Sequence, residues 1–282
     1  MTAVVPSVWR RCSRWVTALL LWFACLLWVY PLLWVLSASL KSPTEIFTAG
    51  LALLPRVFQW GNYARAWNDA HFSTYTLNSA IVTAGTVVLV VLRSALAGYV
   101  LGRYRFVGRT VILAVLVGTL FVPQGFTVIP VVQLTHALHL DNSLAGVILA
   151  LGAGGNVAAT LLYMGFFAQI PKEMSEAAEV DGAGFFTVFF RVMLPLAGPV
   201  TATVIVLTFI SAWNAFFLPL VLTLSRPDLR TLSVGMLAFQ GEQSTDWTAM
   251  AAAAVIAILP VTILFLGLQR MFFNGIAGAV KS

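Results

Sequence analysis

Six stretches, each of about twenty residues or more and nearly free of charge, decide what this chain can be: Trp15–Leu36, Tyr75–Leu101, Val111–Val132, Leu144–Phe167, Leu196–Leu222 and Trp247–Leu268. About twenty apolar residues in a helix cross the roughly 30 Å of bilayer hydrocarbon. Inside that medium the backbone must satisfy its own hydrogen bonds, which leaves helices or closed barrels. Stretches of this length predict helices. Charged residues make up only 9% of the 282 residues and hydrophobic ones 60%, against about 25% charged in a soluble domain. A water-soluble single domain, a disordered chain and a disulfide scaffold are therefore excluded. The expectation is an all-α, polytopic membrane protein with six transmembrane helices.

Charge orients the helices. Ten basic residues, among them Arg10, Arg11, Arg14, Arg103, Arg105, Arg109, Lys172 and Arg191, fall on the side of the N-terminus, and five fall on the other. The richer side is cytoplasmic by the positive-inside rule, which puts both termini in the cytosol. The same rule explains the net charge of +6 without a nucleic-acid partner. Residues 1–14 read as a cytosolic N-terminal segment and 15–282 as the transmembrane domain. The first apolar run is too long for the core of a signal peptide, so it reads as an uncleaved helix. Cys12 and Cys25 are not placed to pair, and neither they nor His71, His136 and His139 form a cluster with metal-ligand spacing. No metal site is expected.

The connections are unequal. A polar segment, Lys41–Ser73, joins the first two stretches on the outer side. Residues 168–195 join the fourth and fifth on the inner side and hold Glu173, Glu176, Glu179 and Asp181, four of the ten acids. An acidic run on the positive side of a membrane protein points to a partner. Pro171 suits a helix start, and Glu173 is favoured in the first turn by the helix dipole. Glu176, Ala177, Ala178 and Glu179 are strong helix formers. Gly182 can adopt the left-handed conformation that ends a helix. A second short helix, Phe185–Met193, runs on towards Pro195. By composition alone this hairpin is either an amphipathic connector or a docking element, with Ala177 and Ala178 leaving room for a partner's groove.

Glu176-Ala177-Ala178, three residues, Gly182, nine residues, Val192, one residue, Leu194-Pro195 resembles the EAA signature of ABC-importer permeases. Val192 stands where isoleucine is usual. Ala38-Ser39-Leu40-Lys41 with Glu45-Ile46-Phe47, Asn62-Tyr63, Asn78-Ser79, Trp213-Asn214, Gln269-Arg270 and the tail Gly275, Gly278-Ala279-Val280-Lys281 are similar to carbohydrate-uptake permeases of the maltose and glycerol-3-phosphate type. Ser282 replaces the family's usual final glycine.

The resemblance implies a MetI-like permease fold in the inner membrane. It implies a second, homologous permease subunit, a cytosolic ABC ATPase dimer and an extracytoplasmic solute-binding protein that delivers a sugar or sugar-like solute. Glu176 would be the polar contact to the ATPase, Ala177 and Ala178 would pack in its cleft, Gly182 would set the turn, and Leu194 and Pro195 complete the motif. The chain contains no G-x-x-x-x-G-K-[ST] phosphate loop. It is therefore expected to be no enzyme by itself and to bind no cofactor, with ATP and Mg held by the partner.

Within the membrane, Arg93 lies about 15 Å along the helix from Arg103. A charge there must be paired or hydrated. It either lines a solute pathway or contacts a partner helix or backbone carbonyls. Trp213 either stacks on a sugar face or packs, and Asn214 is able to bind hydroxyls. Gly98 and Gly102 form a small-xxx-small pair for close helix packing, a purpose also read for Gly152, Gly154 and Gly155. Prolines 31, 123, 130, 219 and 260 interrupt the stretches and are expected to bend them. An ion-coupled secondary transporter is the rival reading, but it should carry acids within the spans, where this chain has none.

Overall fold

A computed structural model of the chain describes residues 7–48, 50, 52–68, 71–154, 156–241 and 245–280. Gly155, Lys281 and Ser282, which entered the sequence reading, lie outside the described residues, as does the start of the segment 1–14. The helices in chain order are α1 (Ser7–Ala38), α2 (Pro43–Thr48), α3 (Gly61–Asn68), α4 (Phe72–Arg103), α5 (Arg109–Thr119), α6 (Gln124–Ala137), α7 (Leu144–Ala153) and α8 (Val157–Gln169). They continue with α9 (Glu173–Val180), α10 (Phe185–Val188), α11 (Leu194–Leu196), α12 (Gly198–Trp213), α13 (Phe217–Leu222), α14 (Leu232–Gly235) and α15 (Trp247–Val280). Among the described residues the β pairing is a single isolated bridge, Gln240 with Thr245. The fold is all-α.

α1, α4 and α15 are each long and apolar enough to cross a membrane unaided. The other apolar stretches are broken. The stretch read as continuous over 111–132 is two helices, α5 and α6, with non-helical backbone at Leu120–Pro123 between them. Pro123 sits at the N-cap of α6 in extended conformation; it lacks an N–H and disfavours helical backbone in the residue before it. The fourth stretch divides into α7 and α8 around Gly154 and Asn156, and the fifth into α12 and α13 around Asn214–Phe216. The segment Phe185–Leu196 meets α12 at 79°.

The chain divides into two compact units. One comprises residues 1–70 and 238–256. In it the end of α1 is knitted to α3 by polar bonds. The Asn62 side chain donates to the carbonyls of Ser39 (2.8 Å) and Lys41 (2.9 Å), and the Ser39 and Tyr63 hydroxyls lie 2.8 Å apart. Lys41 is buried and its ammonium donates to the Ala52 carbonyl. Arg65 donates to Asn62 and Thr248 and faces Asp246 at 3.7 Å. Burial pushes the Asp246 carboxyl up, but bonds from the Ala249 N–H and the Thr248 hydroxyl, with the Arg65 charge, outweigh it and hold the group below its ordinary value.

The other unit comprises residues 71–237 and 257–282. α4 is its centre, and α7, α8, α12 and α14 pack against it. The core joins Val90, Ala95 and Tyr99 of α4 to Tyr163 and Phe167 of α8, Val188 and Phe189 after the hairpin turn, and Val204 of α12. A Cβ on Gly98 would lie 2.5 Å from Tyr163 Cβ and 2.8 Å from the Met164 nitrogen. One on Gly102 would lie 2.7 Å from the Met164 carbonyl oxygen. The small-xxx-small pair therefore brings the backbone of α4 against that of α8, a packing that lipid tails alone do not drive. Gly152 likewise meets Leu89. Asn78 and Ser79 fasten a loop to α4: Asn78 donates to the carbonyls of Asp228 and Arg230, and the Ser79 hydroxyl accepts from the Leu232 N–H.

Candidate functional site

The acidic connection 168–195 forms two short helices joined at a glycine. α9 starts after Lys172 with Glu173 and Glu176 in its first turn, where the macrodipole favours them. It ends in a Schellman motif. The Ala183 N–H donates to the Ala178 carbonyl and the Gly182 N–H to the Glu179 carbonyl, both at 3.0 Å, with Gly182 at φ 84°. That φ is costly for any residue with a Cβ.

The second helix is not regular. α10 passes into a π turn, Phe189–Met193, before α11. The Leu194 N–H donates to the Phe189 carbonyl, one residue further back than in an α-helix. Pro195 lacks an N–H and its ring crowds the carbonyl four residues earlier, so the wider turn resolves the conflict immediately upstream. π turns of this kind recur at functional sites.

The faces of α9 are now assigned. Glu176 and Ala177 are exposed. Ala178 is half-buried and packs on the chain's own core, together with Ala183, Val192 and Leu194. Of the two alanines, therefore, only Ala177 is presented outward. Leu194 borders an open apolar groove with Pro195, Val91 and Ile205.

Arg103 and Tyr99 of α4 hold this hairpin, Arg103 in part through Ser175 of α9. Ser175 is buried at 8% exposure. The Arg103 guanidinium, in the last turn of α4, donates to the carbonyls of Ile170 and Pro171 and, at 2.7 Å, to the Ser175 hydroxyl. Tyr99, one turn earlier, is buried with its ring 5.5 Å from Phe185, 5.4 Å from Phe189 and 5.5 Å from Phe167. The signal in the sequence is an arginine closing an apolar span, which suits the carbonyl end of a neighbouring helix as well as it sets topology.

The intramembrane residues are apart from the hairpin. Arg93 Nη1 donates to the Ala153 carbonyl at 2.9 Å, at the end of α7, while its Nε and Nη2 are buried with no protein partner. Asn156 donates to the Leu151 and Gly154 carbonyls beside it. Trp213 is buried at 5% exposure, its indole N–H bonded to the Ala257 carbonyl (3.0 Å) and its ring stacked on Phe209. Of the two readings of Trp213, its burial and satisfied indole N–H favour packing over stacking on a sugar face. Asn214 caps α12, exposed, and donates to the Ile210 carbonyl. Among the described residues no group of three or more His, Cys, Asp or Glu side chains converges to hold a metal ion.

Residues 94–278 match the family described as binding-protein-dependent transport system inner membrane component. The chain is 36% identical over 249 residues to the diacetylchitobiose uptake system permease protein of Streptomyces coelicolor, covering 88% of this chain and 80% of that one. It is 33% identical over 248 residues to the sulfoquinovosyl glycerol transport system permease protein of Agrobacterium fabrum, covering 88% and 87%. Among solved structures, a chain of a bacterial ABC transporter involved in the import of the acidic polysaccharide alginate superposes with a TM-score of 0.83 at 26% identity, covering 96% of this chain and all of that one.

Proposed function

Because this chain belongs to the binding-protein-dependent transport system inner membrane components, the membrane subunits of ABC importers, we propose that it conducts a sugar or sugar-like solute into the cytoplasm. The motor is a separate ATPase that binds ATP and Mg. The relatives named for diacetylchitobiose and sulfoquinovosyl glycerol uptake support the solute class. Six crossings, both termini in the cytosol, a second homologous permease and an extracytoplasmic solute-binding protein complete the assembly.

The single observation that carries the docking role is the shape of α9. Its exposed residues include Glu176 and Ala177 side by side, and its end is locked by Gly182 in the left-handed conformation. A small side chain beside a carboxylate suits a cleft that closes over the backbone and offers a basic residue. A nucleotide moves a conformational equilibrium only by contacts that differ between the two states, and a locked hairpin transmits such a difference where a flexible linker would dissipate it.

The test is purification of the tagged permease from its own host's membranes in mild detergent, with Ala177→Cys as a cross-linking site. The expected result is an ATP-hydrolysing subunit that co-purifies and is captured from position 177. A permease that transports sugar in vesicles with no such subunit overturns the reading.

A further inference from the structure

The hairpin lies in sequence between α8 and α12, and those helices are the obvious receivers of its motion. The hydrogen bonds point elsewhere. Arg103 and Tyr99 are four residues apart on α4 and so share one face of it. Arg103 grips the start of α9 through Ile170, Pro171 and Ser175. Tyr99 packs on Phe185 and Phe189, the two rings that open α10 and the π turn. Both helices of the hairpin are thus held by the last two turns of one helix that is 67 or more residues away in sequence. That helix end is itself tied, since Arg109 donates through Nε to the Leu101 carbonyl at 2.8 Å.

The character of the Arg103 contact matters. Its bonds are charge-assisted and so stronger than neutral ones, and the planar fork reaches two carbonyls and a hydroxyl at once, which a lysine ammonium does not reproduce. The positive charge also stands at the carbonyl end of α8, where the helix dipole favours it. Ser175 is buried and passes a second bond to the Lys172 carbonyl at 3.0 Å. Guanidinium, hydroxyl and first turn of α9 therefore move as one piece.

We propose that α4 receives the stroke of α9 and that Arg103 is the positioning residue that transmits it. The inference rests on the docking role proposed above. α4 is the element against which α7, α8, α12 and α14 pack, so a displacement delivered to its inner end reaches the whole unit at once. α8 itself packs on α4, so motion passed along α8 arrives at the same helix.

The test uses the full complex in vesicles, supplied with its binding protein and solute, and reads uptake per ATP hydrolysed beside the amount of ATPase retained. Arg103→Ala should keep the ATPase bound and hydrolysing while uptake per ATP falls by about tenfold or more, tenfold being the factor expected from losing even one of its three charge-assisted bonds. Arg103→Lys should fall by roughly threefold, because it keeps the charge and loses the fork. Ser175→Ala removes one bond and should cost about twofold. Should Arg103→Ala fail to reach the membrane, the graded pair Arg103→Lys and Ser175→Ala carries the same test. Unchanged uptake per ATP in these variants, beside a working wild-type complex, overturns the inference alone, and so does loss of the ATPase from Arg103→Ala, which would make the residue part of docking. A wild-type permease that retains no ATPase overturns the docking role and this inference with it.

Discussion

α1 and α4 are each 32 residues long, and each is apolar enough to cross a bilayer. None of the most apolar window of α1 is buried, whereas a third of that of α4 is. Trp22 and Trp28 of α1 are 72% and 81% exposed, while Val82, Val90 and Ala95 of α4 are fully covered. Length and hydropathy do not distinguish the two; side-chain size does. α1 is a run of leucines and tryptophans, and α4 carries Ser94, Ala95, Gly98 and Gly102 along its packed faces. Lipid tails are as apolar as leucine, so burial within a bilayer follows from close backbone approach and polar bonds rather than from hydrophobicity.

Substitutions can break or sharpen this contrast. The largest effect is expected at Gly98→Leu, whose side chain has no room against Tyr163 and Met164. Overpacking of a closed helix interface should cost about 3 kcal/mol, read as loss of folded permease and of uptake. A mild phenotype would mean that α4 and α8 separate readily. Next is the receiving end. Gly182→Pro cannot adopt φ 84° and removes the N–H bonded to Glu179, and Glu176→Lys reverses the exposed charge. Each should lower uptake per ATP by about tenfold in vesicles while membrane insertion stays normal, the factor set for Glu176→Lys by one charge-assisted contact and for Gly182→Pro by a strained turn and a lost backbone bond. Normal transport by both would leave α4 a scaffold and no more.

Arg93→Met is expected to do less. It removes one bond to Ala153 but also a guanidinium with two buried nitrogens lacking protein partners, and the opposing terms should leave a net change below about 1.5 kcal/mol in thermal melts. A large loss of uptake with an unchanged melt would instead make Arg93 part of the solute path. The smallest effect belongs to α1: Leu26→Ala, at a position 63% exposed, should shift stability by less than about 0.5 kcal/mol. A cost typical of a buried leucine, about 2–5 kcal/mol, would show that a second protein covers α1 in the assembled complex.

Local chemistry was legible in the sequence, and distant chemistry was not. Gly182 could be read as the end of α9 because a left-handed residue is a matter of one backbone angle. Gly98 and Gly102 could be read as a packing face because their spacing repeats on one side of a helix. The partner of Arg103 could not, because Ser175 is 72 residues away and nothing within either segment names the other. Ala177 and Ala178 are alike in composition, and only the packing of the second on the core around Phe189 and Met193 decides that it points inward. Pro123 predicts a bend, and the apolar period alone does not say that the backbone leaves the helix altogether over Leu120–Pro123. The burial of Trp213 is of the same kind, since Ala257 O, 44 residues on, supplies its acceptor.

α7 and α8 have 10 and 13 residues, so neither half alone spans the hydrocarbon. Each ends on an arginine of α4, at Ala153 through Arg93 and at Ile170 through Arg103. Carbonyls left bare in lipid cost several kcal/mol each. During biosynthesis the ribosome delivers α4 first, so Arg93 is in place for the Ala153 carbonyl before α7 emerges. A circular permutant that made α7 and α8 ahead of α4 is expected to yield less inserted permease, measured by protease protection in membranes.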